Sequence, residues 1–185
     1  GVMRGLISNE AGCGTSPLAH STADTDSAAR QGFLGIVEVI VDTVILCTAT
    51  ALVILANYAD VAIYGENSVM MTIGAYAATL GSWAQPVLAV AVLLFGLATV
   101  ICWAYYGQEC IFFLGLSPSR TRIAVRIFNL LYAAAAYIGA VSPPGGVWTL
   151  ADFSIGLMTF INIAALILLR RDVKKETERF ANKKA

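Results

Sequence analysis

Charged residues are scarce in this chain: Asp, Glu, Lys and Arg make up 13% of its 185 residues, whereas 58% are hydrophobic. An ordinary soluble domain has about 25% charged residues, so the composition excludes that class. A strand-built barrel is excluded too, because the apolar runs are about 18–24 residues long, which suits a membrane-spanning helix and not a short alternating strand. The sequence therefore predicts an all-α polytopic membrane protein.

Motifs of enzymes and of nucleic-acid-binding proteins are also missing. The sequence contains no Walker loop, GxSxG, HExxH or dinucleotide fingerprint, and its basic residues are not interleaved with aromatic residues. Ser8 and Glu10 are the one conceivable pair of nucleophile and acid, but no base is placed to activate the serine. We therefore predict that the chain is not an enzyme, binds no nucleic acid and uses no cofactor.

The cysteines and the single histidine lack the spacing of a metal or redox site. Cys13, Cys47, Cys102 and Cys110 fall in or near apolar segments, and we interpret them as small apolar side chains. His20 has no His or Cys partner at metal-ligand spacing. We interpret it as a solvated side chain or a helix cap.

Basic residues are absent from two loops, at 60–66 and 142–146, and fall in three regions that alternate with them. By the positive-inside rule the basic regions lie in the cytoplasm and the two loops face outward. This predicts a broken helix at about 1–17, spans at about 33–56, 83–107, 123–141 and 147–169, and a cytoplasmic tail at 170–185. Because the chain begins without Met inside a helical pattern, we expect it to be the C-terminal portion of a longer protein.

The stretch 8–17 combines polar residues with helix breakers. Gly12 and Gly14 each weaken a helix by roughly 1 kcal/mol, and Pro17 does so by roughly 3 kcal/mol. Its side-chain oxygens come from Ser8, Asn9, Glu10, Thr15 and Ser16. An opened helix with such side chains is how a membrane protein makes a small polar site.

Polar residues inside the spans mark further candidates. Glu38 and Asp42 are four residues apart in the first span, where they either face protein, water or an ion, or hydrogen-bond the neighbouring polar segment. Thr99 shares a helix face with Trp103, which indicates either aromatic packing or a cation site. Asn162 in the last span is equally consistent with a contact between helices and with a substrate contact.

Several of these segments resemble the alanine/glycine:cation symporter family, also called the sodium:alanine symporters. The resemblance rests first on residues 5–12 with Gly14 and Pro17, and then on four later segments in the family's order: 42–43 with 47–51, 103–107, 147–148 and 156–158. It covers nearly the whole chain.

This resemblance implies the second inverted repeat of a LeuT-type fold, with one broken helix and four full spans. It further implies an ion-binding or supporting role for Glu10, Thr99, Asp42 and Asn162, with sodium near Thr99. The other discontinuous helix would lie in an N-terminal repeat absent from this sequence. The implied substrate-binding residues are Ser8, Asn9, Gly12, Cys13, Thr15 and Trp103.

The implied function is secondary active symport of a small neutral amino acid, alanine or glycine, with sodium across the cytoplasmic (inner) membrane. The partners are then the amino acid, sodium, the lipid bilayer and the N-terminal repeat. Departures from the family pattern leave the preferred amino acid open: Cys13 replaces a usual Met, Cys102 a Gly, Gln108 a Glu and Ile161 a Pro. The alternatives are a non-transporting membrane scaffold or subunit and, with less support, a channel.

Overall fold

The computed structural model describes Gly5 and residues 8–65 and 67–182. Parts of the predicted broken helix (1–4 and 6–7), one loop position (66) and the end of the tail (183–185) lie outside the described residues. Among the described residues, four helices are long and apolar enough to cross a membrane. The prediction of an all-helical chain with four long apolar helices is confirmed.

The helices follow one another with short connections. The first apolar helix consists of α2, a π-helical segment at Ile40–Leu46 and α3 without interruption, and a 3₁₀ turn at Ala62–Tyr64 follows α4. The α-helices are α1 (Ser16–His20), α2 (Ala28–Val39), α3 (Cys47–Ala56), α4 (Tyr58–Val61), α5 (Ser68–Leu80), α6 (Ala84–Phe113), α7 (Pro118–Val141) and α8 (Pro144–Asn182).

The long helices extend beyond the apolar runs from which they are predicted. The clearest case is α8, which continues as helix to Asn182 although its apolar run ends near residue 169. Glu, Lys and Arg are good helix formers, and ion pairs at helical spacing join Lys174 to Glu178 (3.8 Å) and Arg179 to Glu176 (2.6 Å). Hydropathy therefore marks the segment suited to hydrocarbon, whereas helix propensity sets the length of the helix.

The chain divides into two compact units, Gly1–Val39 with Cys102–Ala185 and Ile40–Ile101. In the first unit, α2 packs on α8, where the rings of Phe33 and Phe180 lie 5.9 Å apart. The end of α6 packs on α7 at Gly107, where an added Cβ would overlap the Phe128 ring. The absence of a side chain at Gly107 thus leaves room for the tip of the Phe128 ring.

The second unit is held by polar contacts between α3 and α5. The Asn57 side-chain amide, just after α3, donates to the carbonyl oxygen of Val53 and to the hydroxyl of Thr79, each at 2.8 Å. The Thr50 hydroxyl lies 3.4 Å from the Tyr76 hydroxyl. Hydrogen bonds between helices are a common means of association in a membrane, where apolar burial gives little driving force.

His20 does not have the solvated environment that its sequence context suggested. Its Nδ1 accepts a hydrogen bond from the Gln31 amide (2.8 Å), and its Nε2 lies 3.1 Å from the Glu38 carboxylate. The ring approaches α2 at Gly35, which has no side chain to block it. Of the two interpretations of His20, the solvated side chain is therefore wrong, and its ring binds residues of α2 and does not act as a cap. The predicted alternative in which Glu38 bonds the neighbouring polar segment is confirmed, with the Glu38 carboxylate accepting from His20.

In both units, most of the large apolar side chains are exposed. Buried apolar residues are few, whereas long apolar side chains are exposed along each of the four long helices. A soluble monomer rarely exposes so much contiguous apolar surface. This distribution suits a chain surrounded by lipid and by other membrane helices.

Candidate functional site

A break in the helix at residues 10–15 is the centre of the candidate site. Ser8 and Asn9 are helical and α1 begins at Ser16, but the residues between them form a turn. Glu10 has a backbone φ of 54° and Gly14 a φ of 80°, both in the left-handed region. The Asn9 side chain accepts a hydrogen bond from the Ala11 amide (3.1 Å), which stabilises the turn locally.

The Glu10 carboxylate connects the break to α6. Its Oε1 accepts a hydrogen bond from the indole N–H of Trp103 (2.9 Å), and its Oε2 accepts one from the Thr15 hydroxyl (3.1 Å). The Tyr106 side chain, one helical turn beyond Trp103, also interacts with Glu10. Thr15 and Tyr106 are buried, at 6% and 7% exposed, whereas Glu10 and Trp103 are half-buried.

Asn162 of α8 holds the break from the other side. Its side-chain amide donates to the carbonyl oxygens of Ala11 (3.1 Å) and Gly12 (3.0 Å). An interrupted helix leaves carbonyl groups without their usual partners, and one asparagine satisfies two of them here. A Cβ at Gly14 would lie 2.9 Å from the Asn162 side-chain oxygen, so glycine is needed both for its backbone conformation and for space.

The structure brings most of the sequence-predicted residues together. The break contains Gly12 and the buried Cys13, which is 5% exposed, and Ser8 lies at the end of the preceding helical turn. The contacts described above join Asn9, Glu10, Thr15, Trp103 and Asn162 to it.

Two predicted residues belong to the second unit. The hydroxyl of Thr99 donates to the Phe95 carbonyl oxygen of its own helix (2.9 Å). Asp42 lies in the π-helical segment, where it accepts a hydrogen bond from the Thr43 hydroxyl (3.3 Å). A hydroxyl that donates to the backbone keeps its oxygen lone pairs. A sodium contact at Thr99 or Asp42 stays a prediction.

Sequence reasoning missed the polar role of Tyr106. Tyr106 is three residues after Trp103 and shares its helix face, and the two rings lie 6.2 Å apart. Their shared carboxylate partner comes from a residue 93 positions before Trp103. Helical spacing shows which residues share a face, but it carries no signal for a contact across that distance in the chain.

Comparisons with known proteins identify the family of this chain. The family model described as "Sodium:alanine symporter family" matches residues 1–185. The probable sodium/glutamine symporter GlnT of Bacillus subtilis is 36% identical over 176 residues, covering 94% of this chain and 35% of the relative. The amino-acid carrier protein AlsT of the same organism is 35% identical, covering 100% of this chain and 38% of the relative.

An archaeal relative extends this similarity. The sodium/alanine symporter AgcS of Methanococcus maripaludis is 30% identical over 191 residues, covering 97% of this chain and 39% of the relative. No solved structure matches the chain significantly. The chain spans 35% to 39% of the length of these three relatives. Its match to the family model over its full length shows that the chain belongs to the sodium:alanine symporter family.

Proposed function

We propose that this chain forms one wall of the substrate and sodium site of a symporter that moves a small neutral amino acid, alanine or glycine, across the cytoplasmic membrane. The observation that carries the proposal is the helix break, which Trp103 braces from α6 and Asn162 braces from α8. A packing scaffold has no need for a helix that is opened and then held open. The names of the relatives, which include a sodium/alanine symporter, support the same function.

The chemistry of the substrate explains the need for an opened helix. A zwitterionic amino acid brings a carboxylate and an ammonium group into a low-dielectric site, and each needs partners of opposite charge. An interrupted helix offers backbone amides and carbonyls, and a sodium ion beside the carboxylate adds a positive charge. We assign the substrate contacts to Ser8, Asn9, Gly12, Cys13, Thr15 and the indole of Trp103.

The contacts favour a supporting role for two of the candidate residues. Both carboxylate oxygens of Glu10 are engaged by protein donors, and the amide of Asn162 is engaged by two carbonyl groups. We therefore assign Glu10 and Asn162 to holding the break open. Thr99 and Asp42 remain the proposed ion-binding residues, with sodium near Thr99.

We also propose how the helices of this chain are arranged in the membrane. The chain is the second inverted repeat of a LeuT-type fold, in which residues 1–17 form the broken helix and the four long apolar helices cross the bilayer. The preceding repeat of the full-length protein supplies the other discontinuous helix. The basic end of α8 lies in the cytoplasm, in line with the positive-inside rule.

Uptake of labelled alanine and glycine by the full-length protein in proteoliposomes tests this function. An inward sodium gradient and a membrane potential, worth about 2.3 kcal/mol per charge per 100 mV, should drive accumulation. Replacing sodium with choline should abolish it. Uptake that is unchanged in choline contradicts sodium coupling, and absence of uptake for every neutral amino acid favours the scaffold alternative.

Trp103→Phe tests the braced break within the same assay. The change keeps an aromatic ring but removes the N–H that donates to Glu10, and a hydrogen bond to a charged group contributes about 1.5–3 kcal/mol. Initial uptake should therefore fall by roughly tenfold or more. Trp83→Phe is the matched control because Trp83 is largely exposed and lies before α6. Equal uptake by the two variants contradicts the role of the Trp103 contact.

A further inference from the structure

The turn between α6 and α7 contains a shallow groove with two kinds of lining. Arg122 and Arg126 are four residues apart on α7 and form its basic side. Phe112 at the end of α6, Leu116 in the turn and Val125 on α7 form its apolar side. The whole groove belongs to the first compact unit.

The basic side of the groove has no acidic counterpart. Its lining contains no Asp or Glu, and within the described residues neither Arg122 nor Arg126 forms an ion pair. Arg120 adds a third exposed positive charge at the start of the same helix. Guanidinium groups bind phosphate through two parallel hydrogen bonds, so an unpaired arginine pair is suited to a phosphate ligand.

The apolar side continues over the tip of the turn. Phe112, Leu114 and Leu116 are exposed, and Phe113 is 92% exposed. The Thr121 hydroxyl is already bonded to the backbone at Leu116 and Ser117, so the polar groups left for a ligand are the two arginines. A soluble phosphate compound would leave the apolar side in water, which makes it a poor occupant.

The turn also joins two helices that are long and apolar enough to span a membrane, so it lies at a membrane surface. Basic pockets between membrane helices on the cytoplasmic side bind anionic lipid headgroups. We propose that this groove is a binding site for an anionic phospholipid, whose phosphate contacts Arg122 and Arg126 and whose acyl chain lies along Phe112, Leu116 and Val125. The site is separate from the helix break and does not rest on the transport function.

A lipid titration of the full-length protein, followed by native mass spectrometry, tests this site. Purified protein in detergent is titrated with phosphatidylglycerol and, in parallel, with phosphatidylcholine. The wild-type protein should retain phosphatidylglycerol more tightly. Each arginine near a lipid surface contributes about fivefold in affinity, so the double variant R122Q/R126Q should bind phosphatidylglycerol about 30-fold more weakly.

The double variant R170Q/R171Q is the matched control, because it removes the same charge just after the apolar run of α8 and outside the groove. It should bind phosphatidylglycerol like the wild type, and circular dichroism should show equal helix content in all three proteins. Equal binding of the two lipids, or equal loss in both double variants, overturns the proposal in favour of nonspecific charge attraction. Displacement of the lipid by equimolar glycerol phosphate assigns the site to a soluble phosphate compound instead. Unchanged binding in R122Q/R126Q shows that the two arginines do not hold the lipid, which also overturns the proposal.

Discussion

Gly14 is the residue whose identity the site constrains most directly. Its backbone φ of 80° disfavours any residue with a Cβ, and that Cβ would also meet the side chain of Asn162 at 2.9 Å. The two requirements are independent, since one concerns the local backbone and the other a neighbouring helix. They can therefore be separated by experiment.

We expect Gly14→Ala to destabilise the protein by about 1–2 kcal/mol from the left-handed backbone, with a further cost from the contact with Asn162. In the N162A background, G14A should cost only the backbone part of this free energy, because the side chain that the new Cβ meets is absent. The comparison of G14A/N162A with N162A alone allows for the hydrogen bonds that N162A itself removes. Thermal unfolding in detergent measures all three variants. Gly139→Ala is the control, because an added Cβ there meets nothing within 4 Å, and it should be neutral or slightly stabilising. Equal unfolding temperatures for the Gly14 and Gly139 variants contradict this account.

At the scale of elements, the short helix α1 depends on its contact with α2. A helix of five residues is not stable by itself. The His20 ring fixes its end through Gln31 and Glu38 and by packing at Gly35. These contacts are unequal, because the Glu38 side chain is 66% exposed and a hydrogen bond to an exposed partner contributes about 1 kcal/mol or less.

We therefore expect His20→Ala to loosen α1 more than Glu38→Ala does. His20→Ala removes both hydrogen bonds and the packing at Gly35, whereas Glu38→Ala removes one exposed partner. Hydrogen–deuterium exchange of residues 16–21 measures the effect. Protection should fall by roughly tenfold in His20→Ala and by less than about fivefold in Glu38→Ala. The reverse order would show that the contact with Glu38, and not the combined contacts of the ring, holds the helix.

Some features of these helices can be predicted from the sequence and others cannot. The four long apolar helices follow from composition, and the interruption before α1 follows from Gly12, Gly14 and Pro17, because both depend on local chemistry. The ends of α8 and the partners of Glu10 and His20 cannot be predicted from the local sequence. Charged residues continue a helix without any hydropathic signal, and contacts between distant segments depend on packing that no local pattern encodes.

For the whole molecule, the distribution of basic residues predicts the orientation of the chain in the membrane. In a background without its four cysteines, we expect Ser82→Cys to react with a membrane-impermeant maleimide in intact cells. Lys174→Cys should react only after the membrane is permeabilised, because the basic end of α8 lies inside. Both positions are exposed in the structure, so access to the reagent depends on the side of the membrane. The opposite labelling pattern contradicts the proposed orientation.

The left-handed backbone of Glu10 limits which residues can take its place. Gly, Asn and Asp adopt this conformation most readily, but none of them presents a carboxylate at the distance from the backbone that the contacts with Trp103 and Thr15 require. Gln has the required length but lacks one acceptor oxygen, and it has the same backbone cost as Glu. None of these substitutions therefore combines a low backbone cost with the two side-chain contacts. Glutamate at position 10 therefore combines an unfavourable backbone conformation with a side chain that makes both contacts.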